Sequence, residues 1–67
     1  MTDTELGKNL RKARNKSHLT QQEMAEKAGI NVNFYARIER GEVNASLETM
    51  KTILKVLKIK SSEVFPF

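Results

Sequence analysis

A chain of 67 residues makes one domain with no room for a separate catalytic domain, and at this size folding buries only roughly 60% of the surface that the unfolded chain exposes. With no cysteine it has neither a disulfide nor a thiolate metal site, so stability has to come from a core of Leu, Ile, Val, Met, Phe and Tyr, which suits a reducing cytoplasm. The 12 Lys and Arg against 8 Asp and Glu give a formal net charge of +4, a sign that favours polyanionic partners; the polar amino terminus MTDTELGKNL and the lack of an apolar run approaching roughly 20 residues speak against secretion and membrane insertion.

No segment alternates with period two for long enough to read as a strand, whereas a 3.6-residue period recurs along the whole chain, so the reading is all-α. Leu6, Leu10 and Ala13, spaced i, i+4, i+7, predict a first helix over about residues 4–16 that turns its basic residues outward. Lys8, Arg11, Lys12, Arg14 and Lys16 fall there in a segment without an acid. They create a local positive field, although a run of this kind is also what an ordinary solvated helix face looks like. In LTQQEM, Thr20 caps a second helix while Glu23 reaches back to the cap nitrogen, and Leu19 and Met24 sit at the two staple positions. That helix stops at Gly29, a residue free to turn left-handed.

Asn31 caps the next helix, with Ile30 and Tyr35 at staple spacing, and Gly41 ends it. At about 100° per residue, Ile30, Phe34, Tyr35 and Ile38 gather on one side, and Val32, Asn33, Ala36 and Arg40 lie opposite with Arg37 at the border. Ser46 caps a fourth helix whose apolar stripe is Leu47, Met50, Ile53, Leu54 and Leu57, widened by Val56, with Glu48 favourably placed in the first turn. A last short turn, SSEVF, capped by Ser61, precedes Pro66. There is no linker, repeat or low-complexity tract.

Two short helices joined by a tight Gly-containing turn, over residues 20–28 and 31–40, have the layout of a helix-turn-helix. The run LTQQEMAEKAGI, then RIERG, NASLETM and the terminal SEVF, together resemble the lambda-repressor-like, Cro/C1-type (XRE) helix-turn-helix family over nearly the whole chain, from about residue 6 to 65. The resemblance implies a compact five-helix DNA-binding domain filling residues 1–67, with the helix-turn-helix at about 20–40 and dimerising carboxyl-terminal helices at about 46–65. It implies a transcriptional regulator of the bacterial or phage cytoplasm, associated with the nucleoid and acting as a repressor or restriction-modification-type controller. A homodimer would bind double-stranded DNA at an inverted-repeat operator with half-sites about 10 bp apart, or a multiple of that.

Carried over residue by residue, Val32, Asn33, Ala36 and Arg37 match the family's base-reading positions. Side-chain chemistry then assigns Arg37 to guanine O6 and N7, Asn33 to adenine N6 and N7, and Val32 or Ala36 to a thymine methyl. Thr20 and Gln21 match the start of the second helix, where backbone amides and a Gln side chain hold a phosphate. Gln22, Arg11 and, at the carboxyl end of the third helix, Arg40 are the other expected phosphate contacts. Arg14 matches a position whose Arg pairs with the Glu of the RIERG-like segment, here Glu39, and ties the first helix to the third.

Tyr35 matches a buried position, whereas Phe34 matches one that is either core or the edge of the interface. Val56, Ile59, Val64, Phe65 and Phe67 fall where the family often forms its dimer interface, and a contiguous exposed apolar patch has the same meaning on physical grounds. Their plainer reading is core. The chain departs from the family at Glu42, where many relatives carry Lys or Arg; at His18 and Lys58, where Gly is common; at Lys60, in place of a Ser cap; and at Ala45, where Pro is frequent. His18 has no acid or cysteine at ligand spacing and reads as surface, so no metal is expected. No paired acids converge on a pocket either, which leaves neither an enzyme nor a cofactor in prospect. The competing function keeps the fold but changes the partner: an antitoxin or protein-interaction module acting through the apolar carboxyl end.

Overall fold

The computed structural model describes residues 3–58. Among them the fold is all-helical, with α1 (Asp3–Lys16), α2 (Gln21–Ala28), α3 (Val32–Glu39) and α4 (Leu47–Leu57). Four helices rather than five are therefore present among the described residues. The fifth, expected around residues 61–65, lies outside them, as do Ile59, Val64, Phe65 and Phe67.

Local chemistry sets each helix start. Thr20 is extended (φ −80, ψ 165) and its hydroxyl accepts from the Glu23 N–H at 3.0 Å, while the Glu23 carboxylate accepts from the Thr20 N–H at 2.9 Å. Two of the amides that a helix start leaves unpaired are thus satisfied reciprocally. Asn31 Oδ1 accepts from the N–H groups of Asn33 and Phe34 at 2.8 and 3.3 Å, and Ser46 Oγ from that of Thr49 at 3.1 Å.

The helix ends share a device. After α2 the chain turns left-handed at Gly29 (φ 71), with Gly29 N–H donating to Glu26 O and Ile30 N–H to Ala25 O. After α3 it does so at Gly41 (φ 74), with Gly41 N–H to Ile38 O and Glu42 N–H to Arg37 O. These are paired Schellman turns. The same conformation follows α1 and α4, but there it falls on His18 (φ 58) and Lys58 (φ 55), whose Cβ atoms make it costly.

Leu10, Met24, Tyr35 and Ile53 are fully buried, and Ala25, Ile38, Met50 and Leu57 complete the core. α3 packs on both α1 and α2, and α4 packs on α2. Leu47 departs from its expected place in the α4 stripe, being 73% exposed. Helical side chains lean toward the amino terminus, so at the first position of α4 the side chain overhangs the helix end. One contact is made by main chain alone: Gly7 is buried, and a Cβ there would lie 2.2 Å from the Glu39 carbonyl oxygen and 2.8 Å from that of Ile38. α1 and α3 approach too closely for any side chain at this point.

Candidate nucleic-acid interface

The outer side of α3 presents Asn33, Arg37 and Arg40, all exposed. Val32 and Ala36, the other expected base-reading residues apart from Asn33 and Arg37, are half-buried, and Val32 packs against the core. Val32 is the first residue of its helix and leans back over the turn from α2, which a helical wheel does not register. The exposed part of the face therefore narrows to one amide and two guanidiniums. Phe34 is half-buried and also packs on the core, while Tyr35 is buried.

The inner side of α3 is held by charge. Arg14 Nε donates to Glu39 Oε2 at 2.7 Å and Nη2 to Oε1 at 3.2 Å, while Nη1 donates to the Leu19 carbonyl at 2.8 Å. Gln21 Nε2 donates to Glu39 Oε1 at 3.1 Å. One carboxylate thus joins α1, α2 and α3. Both ends of the ion pair are buried, Arg14 at 8% and Glu39 at 7% exposure, so each needs the other to offset its lost hydration. Burial by itself raises the Glu39 carboxyl, but the hydrogen bonds led by that from Arg14 outweigh it and hold the group below the usual carboxylate range. Beside the pair, Tyr35 Oη is buried, and burial, together with the neighbouring Glu39 carboxylate, drives the phenol well above its ordinary value.

The expected phosphate contacts are spread over α2, its cap, α1 and the end of α3. Thr20, Gln22, Arg11 and Arg40 are exposed, while Gln21 is half-buried with its carboxamide turned inward to Glu39. Gln22 Nε2 donates to Glu26 Oε1 at 3.2 Å.

Glu42, the acid that stands where many similar sequences carry Lys or Arg, lies between two arginines of this face. Its Oε2 accepts from Arg40 Nε, and its Oε1 lies 3.6 Å from Arg37 Nε. The hydrogen bond from Arg40 holds the Glu42 carboxyl below the usual range. A signal was present: glycine at position 41 ends the helix with a Schellman turn, and such a turn returns its second residue beside the helical residue five positions earlier.

Among the described residues no group of three or more His, Cys, Asp or Glu converges as a metal site, and no helix is long and apolar enough to cross a membrane. Residues 10–64 match a family model described as helix-turn-helix. Among solved structures, the restriction-modification controller protein C.AhdI from Aeromonas hydrophila is similar, with a TM-score of 0.90 at 28% sequence identity over 94% of this chain and 96% of that one. No relative matches among the curated proteins.

Proposed function

The chain belongs to the Cro/C1-type (XRE) helix-turn-helix family and is a DNA-binding transcriptional regulator, and from that premise we propose that α3 lies in the major groove and reads its bases. The observation that carries this reading is the pair of opposed faces on α3. The inner face is fixed by Tyr35, Ile38 and the Arg14–Glu39 pair, and the outer face offers Asn33, Arg37 and Arg40 to solvent. Rigid support behind a polar face is what direct readout requires, because a bidentate contact tolerates little angular error.

In this reading Arg37 takes guanine O6 and N7, Asn33 takes adenine N6 and N7, and Val32 and Ala36 give apolar contact to a thymine methyl at the margin of the face. Thr20, Gln21, Gln22, Arg11 and Arg40 bind phosphates. The whole of residues 1–67 acts as one domain. A fifth helix near residues 61–65, together with Val56, Ile59, Val64, Phe65 and Phe67, forms the dimer contact. The homodimer acts in the cytoplasm as a repressor or restriction-modification controller on an inverted repeat. The likeness to a controller protein at 28% identity supports that role.

Selection from a pool of randomised duplex DNA tests the proposal. Enrichment of one inverted repeat is the expected result. With about 6 to 10 phosphates neutralised, affinity drops roughly 10³- to 10⁵-fold between about 50 and 200 mM salt. Failure of any sequence to enrich, with a co-purifying protein held at the carboxyl end, would replace this reading with the protein-interaction module.

A further inference from the structure

We propose that Glu42 gates the cationic face of α3: its carboxylate occupies Arg40 and lies beside Arg37, so a phosphate has to displace an internal acid, while the outer nitrogens of Arg37 stay available to a base edge. The inference rests on the DNA-reading function above and names a residue that sets its selectivity.

The placement originates in the main chain. Gly41 turns the chain back at φ 74, and the N–H of Glu42 donates to the Arg37 carbonyl at 2.9 Å. This anchors Glu42 beside the last turn of α3. Its carboxylate engages Arg40 and approaches Arg37 through Nε, the inner nitrogen of each guanidinium. For Arg37 it is Nε that stands nearest the carboxylate, at 3.6 Å, while Nη1 and Nη2 are the forked end that fits guanine O6 and N7. All three side chains remain about half exposed, at 51%, 57% and 46% for Arg37, Arg40 and Glu42, so a duplex can reach them. The carboxyl is held below its usual range by Arg40 and is therefore ionised at neutral pH.

Competition follows from the chemistry of the two ligands. A phosphate approaching Arg40 carries the same sign as the carboxylate already there; it meets repulsion and has to exchange with it. A guanine edge is neutral, and its two acceptors can take the outer N–H groups of Arg37 while Glu42 remains in place. On any duplex the acid opposes a phosphate at Arg40; on random sequence it also opposes a phosphate at Arg37, where the correct sequence offers a neutral guanine edge, so it weakens binding to random duplex more than to the correct one. By restraining the Arg37 side chain it also lowers the ordering cost of the specific contact.

The test compares the full chain with Glu42→Gln and, as a control that removes the same charge elsewhere, Glu48→Gln, an exposed position in the first turn of α4. Fluorescence anisotropy with a short random-sequence duplex is run from about 50 to 200 mM salt, and repeated on any sequence that selection enriches. Glu42→Gln is expected to tighten random-duplex binding about 3- to 10-fold beyond the Glu48→Gln control, and to steepen the logarithmic salt slope by about 0.9, one further phosphate contact. On an enriched sequence the gain is smaller, so the specificity ratio falls. Equal gains in the two variants, or no gain with Glu42→Gln, overturn the gate. If no sequence enriches, base reading fails, yet the random-duplex comparison still decides for or against the gate on its own.

Discussion

Replacing Gly7 with alanine sets two effects of opposite sign against each other. Gly7 lies within α1, where alanine is favoured over glycine by roughly 1 kcal/mol. On propensity alone the substitution stabilises. The new Cβ, however, would stand 2.2 Å from the Glu39 carbonyl oxygen and 2.7 Å from its carbonyl carbon, where ordinary contact begins at 3.4 Å. The obstacle is main chain, so no rotamer relieves it; α1 has to move off α3 by about 1 Å, loosening Leu10 against its neighbours. Overpacking of this kind costs about 1–3 kcal/mol. Because the obstruction is backbone on both sides, the upper part of that range applies, and the net loss is about 1–2 kcal/mol. For a domain of this size each kcal/mol shifts Tm by roughly 4–8 °C, so circular dichroism should show Tm lowered by about 4–16 °C. A Tm equal to or above that of the parent would refute the close approach of the two helices.

Further outcomes follow from charge and from helix ends. Arg14→Leu leaves Glu39 buried without its partner and should cost about 3 kcal/mol in urea unfolding; a loss below about 1 kcal/mol would mean that the carboxylate finds other support. Glu39 titrates below its ordinary value of 4.5 when folded, so the unfolded chain binds the proton more readily. The stability contributed by this group is present above pH 4.5 and is lost as pH falls through the folded-state value. Unfolding midpoints measured from about pH 7 to 3 should fall less steeply in Glu39→Gln, and parallel curves would contradict the assignment. His18→Gly removes the Cβ from a residue at φ 58 and should stabilise by about 0.5–1 kcal/mol, the relief of left-handed strain exceeding the added freedom of the unfolded chain; a lower Tm would show that the imidazole contributes a contact.

What the sequence made legible is what local chemistry decides. Thr20 with Glu23, Asn31 and Ser46 announce helix starts because each cap satisfies amides within a few residues of itself. Gly29 and Gly41 announce helix ends for the same reason. The Arg14–Glu39 pair, 25 residues apart in the chain, was legible only through the family resemblance, since no spacing rule joins two such positions. Gly7 was opaque: within a helix it reads as a weak propensity, and its reason is a carbonyl at Glu39. Val32 and Leu47 were misplaced by periodicity because the wheel assumes a continuing helix, and both open one. The inward turn of Gln21 depends on Glu39 being across from it, which only the assembled fold decides.

The contact between Gly7 and the main chain of Glu39 also bears on how a protein of this kind diversifies. Main chain is common to all side-chain alphabets, so the seat of α3 does not depend on what Asn33, Arg37 or Arg40 happen to be. In the proposed reading Asn33 and Arg37 form a base-reading cassette on a fixed mount. A new preference can arise by exchanging letters on the outside of the helix without renegotiating its tilt, and two descendants of one ancestor can diverge in what they recognise while remaining superimposable in how they are built.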